Sequence, residues 1–356
     1  MGETWAGLRG EIEHCLAEGD SVPHSSASCY PEALGESSFG TIAGGDELPP
    51  SGFVTKISSA GAPIWASPIV TEIGGYPYNP VEEGLSIVVD GSNNVVVAAA
   101  CTQPAHVGQV AVSPPPIVHA GAWNYLCMFS LDPLGQPRWG RAFTADWGFG
   151  SPRPKLVAGP DGNVYVAGGA GYKMDLGAGP MPTPGSEAAY VLALGSNGDV
   201  LWSRVFGGSI AGIGSLGIDA KGRLVALIIA GGDVVVAGKA IGGDAYTRRS
   251  VLVWLDPDGT VLSRRILPLH EWMDTLAVGP RGIAMLGTQD GNDYAPTLVA
   301  QCEADGANCK VDGFGEAWDL FRDVAWHPDG DIVAAGTFTR DGTGEHFAAV
   351  GKFRFE

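Results

Sequence analysis

Three stretches of the chain bring acids, bases and aromatic side chains close together: His270-Glu271-Trp272-Met273-Asp274, Glu316-Ala317-Trp318-Asp319 followed by Arg322 and Asp323, and Asp146-Trp147-Gly148-Phe149. A looser fourth holds Tyr76 and Tyr78 with Glu82 and Glu83. His270, Glu271, Asp274 or Asp319 could act as a general base, and two carboxylates held about 5 to 9.5 Å apart could perform glycoside hydrolysis. Without catalysis, the same side chains suit a polar ligand with apolar faces. A sugar can stack on an indole while its hydroxyls bond to acids, and a cation can sit over a ring. Tyr76, Tyr78, Asp146, Trp147, Trp272, Trp318 and Arg322 are therefore the candidate ligand-binding residues. The plainer reading is that these aromatic residues seal the ends of sheets and the acids cap turns.

Several chemistries lack their residues. None of the seven histidines stands in a His-x-x-x-His pattern, so no zinc site is expected. There is no Gly-x-Ser-x-Gly nucleophile elbow and no Gly-x-x-x-x-Gly-Lys-Ser/Thr phosphate cradle, so serine hydrolase and nucleotide-triphosphatase readings fall. Asp329-Gly330-Asp331 and Asp290-Gly-Asn-Asp293 gather oxygen ligands that could attract calcium. They lack the ligand order and closing Glu of a calcium loop, and Asx-turn chemistry explains them better. No cofactor is expected. A binding module for a glycan or protein is the first functional expectation; a carbohydrate hydrolase or lyase using Glu271, Asp274, Asp319 or His270 is the second, and a structural spacer the third.

The elements that must position these residues are visible as a repeat. An apolar run, a Gly-bearing turn and a second apolar run recur at 86–100, 155–169, 216–230, 276–288 and 324–337. Between them lies a second hairpin, in several copies Trp-bearing, at 53–66, 125–140, 190–204, 251–264 and 297–310. Two hairpins per unit make one four-stranded antiparallel sheet. Such a sheet hides both apolar faces only by stacking on its neighbours, which predicts an all-β propeller. Trp65, Trp139 and Trp202, each four residues past the turn glycine, are expected to wedge between adjacent blades; the aligned positions Ser263 and Lys310 break the pattern.

The run DGNVYVAGG, followed by DLGAGPMP and YVLALGSNGDVLWSRVFGG, resembles the bacterial β-propeller-repeat proteins, many of them surface or lipid-anchored. The resemblance covers roughly 39–356, and it implies the fold and an extracytoplasmic setting. A quinone-cofactor propeller fits poorly. Its docking repeat, Ala-x-Asp-x-x-x-Gly-x-x-x-Trp, is one residue short between Asp132 and Trp139, and the 192–202 copy lacks the Asp.

Four complete units with a partial one at each end predict six blades, with five or seven as alternatives. Residues 1–38 form an acidic extension to the 39–356 propeller, and Trp5, Leu8, Ile12 and Leu16 behind Thr4 predict a short amphipathic helix there.

Bulk composition narrows the setting. With 21 Lys+Arg against 39 Asp+Glu the net charge is −18, which repels nucleic acid and anionic lipid. The apolar stretch 224–241 is broken by Gly231-Gly232-Asp233 and charged by Lys239, so it reads as two strands rather than a membrane span. Six cysteines fall into sequential pairs, Cys15 with Cys29, Cys101 with Cys127 and Cys302 with Cys309, which predicts disulfides and hence a secreted, periplasmic or cell-surface location. The Asp305-Gly306 dipeptide predicts a two-residue type I′ turn that places Cys302 opposite Cys309. The start of the chain shows no basic segment followed by an apolar one, and a monomer is expected.

Overall fold

The computed structural model describes residues 4–6, 52–58, 61–71, 86–113, 125–145, 149–208, 211–244, 248–267, 272–288, 297–314, 320–339 and 346–355, none of them helical. They form 26 strands in six successive units. Unit one holds β1 (Thr4–Ala6), β2 (Gly52–Ile57) and β3 (Pro63–Thr71). Unit two holds β4 (Ser86–Val89), β5 (Val95–Cys101), the small hairpin β6 (Ala105–Val107) and β7 (Val110–Val112), then β8 (Tyr125–Leu131) and β9 (Pro137–Ala145). Unit three is β10 (Phe149–Ala158), β11 (Val164–Asp175), β12 (Pro180–Leu194) and β13 (Val200–Gly208). Unit four is β14 (Ala211–Ile218), β15 (Leu224–Ala230), the hairpin β16 (Val235–Val236) and β17 (Lys239–Ala240), then β18 (Arg249–Leu255) and β19 (Val261–Ile266). Unit five is β20 (Trp272–Gly279), β21 (Gly282–Thr288), β22 (Thr297–Cys302) and β23 (Lys310–Phe314), and unit six is β24 (Leu320–Trp326), β25 (Ile332–Thr339) and β26 (His346–Phe353). Units two to five are antiparallel and four-stranded, as the repeat predicts.

The hydrophobic cores lie between units. Val54 and Ile69 of unit one pack with Val97 and Phe129 of unit two; Val96, Met128 and Phe143 of unit two pack with Val166 and Leu192 of unit three. Tyr165 and Val191 meet Ile213 and Val253, Val225 and Leu252 meet Met273 and Met285, and Leu286 and Val299 meet Val324 and Ile332. Successive residues of β5, β8 and β21 are buried on both faces, so these strands read as unbroken apolar runs rather than alternating ones. Each sheet thus depends on the sheets before and after it. Among the described residues no strand pairing joins unit six to unit one.

Nine hairpin turns are built alike, starting at Ser58, Asp90, Asp132, Gly159, Gly195, Asp219, Asp256, Glu303 and His327. In each the first amide donates to the fifth residue's carbonyl and the fourth amide donates to the first residue's carbonyl. The fourth residue sits in the left-handed region; it is Asn93 in one copy (φ 61°) and glycine in the others. This is a three-residue loop with a glycine bulge. It replaces the type I′ turn expected at Asp305-Gly306: the left-handed residue is Gly306 alone in a Glu303–Ala307 turn, and the last strand pair is Gln301 with Lys310. The cysteines still meet, with Cα atoms 4.0 Å apart in the Cys302–Cys309 disulfide. Cys101 and Cys127 are also bridged, with Cα atoms 5.8 Å apart. Cys15 and Cys29 lie outside the described residues.

The expected tryptophan wedge is present and specific. Trp65, Trp139 and Trp202 on the outer strands donate their indole N–H to the carbonyls of Pro133, Ser196 and Pro257 in the next unit, at 3.0, 3.0 and 2.7 Å. Two residues beyond each turn carbonyl lies the left-handed glycine, Gly135, Gly198 or Gly259, where a Cβ would stand 2.6–2.7 Å from the indole. Two residues past each Trp, Ser67, Arg141 or Arg204 donates to that glycine's carbonyl at 2.8 Å. Unit four lacks the outer Trp because Ser263 occupies the position. Its strand partner, Trp254, supplies the ring instead and reaches Gly306 of unit five from the third strand. That detour leaves the buried Trp254 indole N–H without an acceptor.

The connections between second and third strands of units two to four fold back as straps. β6 pairs with β3 of the preceding unit through Val70–His106 and Thr71–Ala105, and the far end of β11 pairs with β9 through Met174–Ala145 and Asp175–Thr144. In unit four, Val234 and Val236 are fully buried and Val234 lies against Gly208 of β13. The stretch 224–241 is therefore a strand plus a strap hairpin, and no helix among the described residues is long and apolar enough to cross a membrane.

At the N-terminus β1 pairs Thr4, Trp5 and Ala6 with Ile57, Lys56 and Thr55. The rest of 1–38 lies outside the described residues. At the other terminus, Asp329 and Asp331 grip β26. Lys352 Nζ is 2.5 Å from Asp329, and Arg354 Nε is 2.7 Å from Asp331. The bond from Lys352 holds the Asp329 carboxyl well below its ordinary range, and that from Arg354 lowers Asp331.

Candidate functional site

In every unit the turns described above lie at one end and the connections to the next unit leave from the other. That second end is where the aromatic-acidic stretches fall. Thr71, Ala145, Gly208, Ile266 and Phe314 end the outer strands there, and Phe149, Ala211, Trp272 and Leu320 start the next inner strands.

Close to that end, each of four inner strands breaks register with its neighbour. The break falls between Gly150 and Lys155 in β10, at Gly214 in β14, at Asp274 in β20 and at Arg322 in β24. A bulge leaves one residue unpaired and re-aims it, and a bulge repeated at one level in neighbouring strands gathers those residues. Met273 pairs with Gly287 and Phe321 with Gly336, so Asp274 and Arg322 are equivalent positions, each one step beyond such a pair. The inner strands also approach closely here. A Cβ on Gly214 would stand 2.8 Å from the Asp274 carbonyl oxygen, so β14 and β20 meet backbone to backbone. Ser215 Oγ donates to the Leu276 carbonyl at 3.3 Å, tying the same two strands.

Two hydroxyls fix the bulges of units five and six. The Met273 amide donates to Ser250 Oγ at 3.0 Å, and the Phe321 amide donates to Thr297 Oγ1 more loosely at 3.4 Å. Ser250 and Thr297 each stand five residues before the end of a third strand, so one device serves both seams. Ser250 is fully buried, and its own carbonyl accepts from the Leu267 amide at 2.9 Å. The connection carrying His270 and Glu271 is thus anchored to Ser250 at both ends. Sequence reasoning missed these residues. Their only signal is a hydroxyl just before the apolar run of a third strand, Val251–Leu255 in β18 and Leu298–Ala300 in β22.

Of the candidate site residues, Asp274 and Arg322 are brought to one level on adjacent inner strands, and Trp272 begins β20 opposite Thr288. Asp274 is exposed. Tyr76, Tyr78, Asp146, Trp147, His270, Glu271, Trp318 and Asp319 lie outside the described residues.

The calcium candidate at Asp329 and Asp331 is committed elsewhere: their carboxylates bind Lys352 and Arg354, and Asp329 accepts the Asp331 amide in an Asx turn. Among the described residues no group of three or more His, Cys, Asp or Glu side chains is placed to hold a metal ion. Asp290 and Asp293 lie outside them.

No protein-family model matches the chain, and no curated protein matches it in sequence. Among solved structures it is similar to a PL25 ulvan lyase bound to -[GlcA(1-4)Rha3S]-, with 11% identity over 85% of this chain and 77% of that one and a TM-score of 0.45. It is also similar to a catalytically inactive virginiamycin B lyase from Staphylococcus aureus with quinupristin, with 7% identity over 80% and 88% of the two chains and a TM-score of 0.39. An exotype rhamnogalacturonan lyase gives 10% identity over 84% and 57%, with a TM-score of 0.34. Likenesses of this size carry no argument about activity.

Proposed function

We propose that the six units close into a six-bladed propeller working outside the cytoplasm, and that it binds a carbohydrate at the end of the ring where the inner strands bulge. One observation carries this reading: Asp274 and Arg322 occupy equivalent bulges on neighbouring inner strands, and the backbone before each is held by a hydroxyl of the preceding unit. Bulges interrupt pairing at a cost in hydrogen bonds, and their repetition at one level supports a common use for the residues they present. Trp272 at the start of β20, with Trp147 and Trp318 from neighbouring connections, would supply stacking faces, and Tyr76 and Tyr78 would extend them. The two disulfides support the extracytoplasmic setting.

A glycan array with the wild-type protein, Trp272→Ala and Arg322→Ala tests the reading. Binding by the wild type that both variants lose is the expected result. No binding to any glycan, or binding that both variants keep, overturns it. A carbohydrate hydrolase or lyase using Glu271, Asp274 or Asp319 remains the second reading, favoured by the exposure of Asp274 at its bulge. It requires that a bound glycan be shortened during incubation and that Asp274→Asn abolish the cleavage.

A further inference from the structure

The third strands of units two to five can be aligned by counting back six residues from the turns that start at Asp132, Gly195, Asp256 and Glu303. The residues so aligned are Leu126, Ala189, Ser250 and Thr297, and all four are buried. Two seams therefore fold with an aliphatic side chain at this place, and a buried hydroxyl is costly unless it is bonded. The hydroxyls are not needed by the seams as such. They stand where the next inner strand carries a one-residue bulge with a charged side chain, Asp274 after Ser250 and Arg322 after Thr297. Ala189 precedes the bulge at Gly214, which has no side chain to aim. Leu126 precedes the longer break at 151–154, where Pro152 and Pro154 fix their own φ and bring no amide to satisfy.

One residue of unit four holds both ends of the connection into unit five. The buried Leu267 donates its amide to the Ser250 carbonyl at 2.9 Å, and the buried Met273, next to the bulge, donates its amide to Ser250 Oγ at 3.0 Å. At the following seam Thr297 pairs with Phe314, the last residue of β23, while its Oγ1 accepts the Phe321 amide at 3.4 Å. We propose that Ser250 and, more weakly, Thr297 are positioning residues of the carbohydrate site, setting the bulges at Asp274 and Arg322 and clamping the connections 268–271 and 315–319. The proposal rests on the carbohydrate reading given above. Being buried, both residues act through the backbone and not on the ligand. A bulge is a choice of register, and moving it by one residue would pair Asp274 and turn it to the other face. The Met273 amide bond to Ser250 fixes that choice.

The full chain labelled with 13C at its aspartate carboxyls reports the site without a ligand. The Asp274 carboxyl resonance, assigned by its loss in Asp274→Asn, is expected to shift in Ser250→Ala and to return in Ser250→Thr, which restores the hydroxyl in the form Thr297 already uses. Ser250→Ala is expected to fold, since Ala189 fills the equivalent place in unit three. For the glycan that the wild type binds most tightly on the array, affinity should fall about tenfold in Ser250→Ala and about threefold in Thr297→Val, where the bond is longer, and recover in Ser250→Thr. Each is measured well below the melting temperature of the variant. An Asp274 resonance that stays put in Ser250→Ala, or that Ser250→Thr does not restore, overturns the proposal. So does a Ser250→Ala protein that binds the glycan as tightly as the wild type. If the wild type binds no glycan while the Asp274 resonance moves and returns as expected, the carbohydrate reading falls and the positioning role stands.

Discussion

Trp139 of unit two and Gly198 of unit three are two halves of one joint. The indole lies where a Cβ on residue 198 would stand, its N–H donates to the Ser196 carbonyl at 3.0 Å, and Arg141 closes on the Gly198 carbonyl at 2.8 Å. The same joint recurs with Trp65 and Gly135 and with Trp202 and Gly259. Each sheet is thereby fastened to the next at the turn end as well as through its core.

Trp139→Ala removes a ring that is 8% exposed, and a loss of about 3–5 kcal/mol of stability is expected in denaturant unfolding. Trp139→Phe keeps most of the packing and loses one hydrogen bond, costing about 1 kcal/mol or somewhat more. Gly198→Ala combines a left-handed backbone with a collision against the indole, and it is expected to cost more than Trp139→Phe.

At the seam between units four and five the ring comes from Trp254 opposite Ser263, the reverse of Ser130 opposite Trp139 in unit two. Trp254→Ser alone is expected to be strongly destabilising. The exchange Trp254→Ser with Ser263→Trp rebuilds the common joint and is expected to recover most of the loss, because the indole N–H can then reach a turn carbonyl. Thermal unfolding of the two singles and the double measures the coupling. A double variant as weak as the sum of the singles would contradict it.

The disulfides differ in the chain they close. Cys101 and Cys127 are 26 residues apart and Cys302 and Cys309 only 7. On chain entropy, replacing the first pair with alanine costs about 3–4 kcal/mol and the second about 2–3 kcal/mol. Unfolding of the two double variants should rank them in that order.

The attachment of β26 depends on pH. Lys352 lowers the Asp329 carboxyl and Arg354 lowers Asp331, so both acids bind protons less readily in the folded chain than in the unfolded one. Their contribution is complete above the unfolded value of about 3.9 and is lost as pH falls through the shifted values. Acid unfolding of the wild type compared with Lys352→Met checks the sign: the two should differ at neutral pH and converge in strong acid.

The turns and the wedge were legible because they obey local rules. A left-handed residue selects glycine, and a large ring must sit between sheets, so Gly135, Gly198 and Trp139 announce their roles. The three-residue turn at 303–307 was misread because Asp-Gly fits two turn types, and only the Glu303–Ala307 hydrogen bonds and a left-handed backbone confined to Gly306 within that turn separate them. Trp254 was missed because its use depends on what stands across the strand at 263. The site was half legible. Asp274 and Arg322 stood out by residue type, but their equivalence rests on bulges that no composition reveals, and Ser250 acts through a backbone amide 23 residues away.

Ring closure is the claim on which the binding site depends, and a distance across the closing seam tests it most directly. Spin labels at Ile64 on β3 and Val350 on β26, both exposed, report the separation of unit one from unit six when labelled chains are diluted into unlabelled ones. Sheets stack about 10 Å apart, so a closed ring keeps the labels within about 25 Å. An open row of six units would separate them by about 50 Å or more and contradict the account.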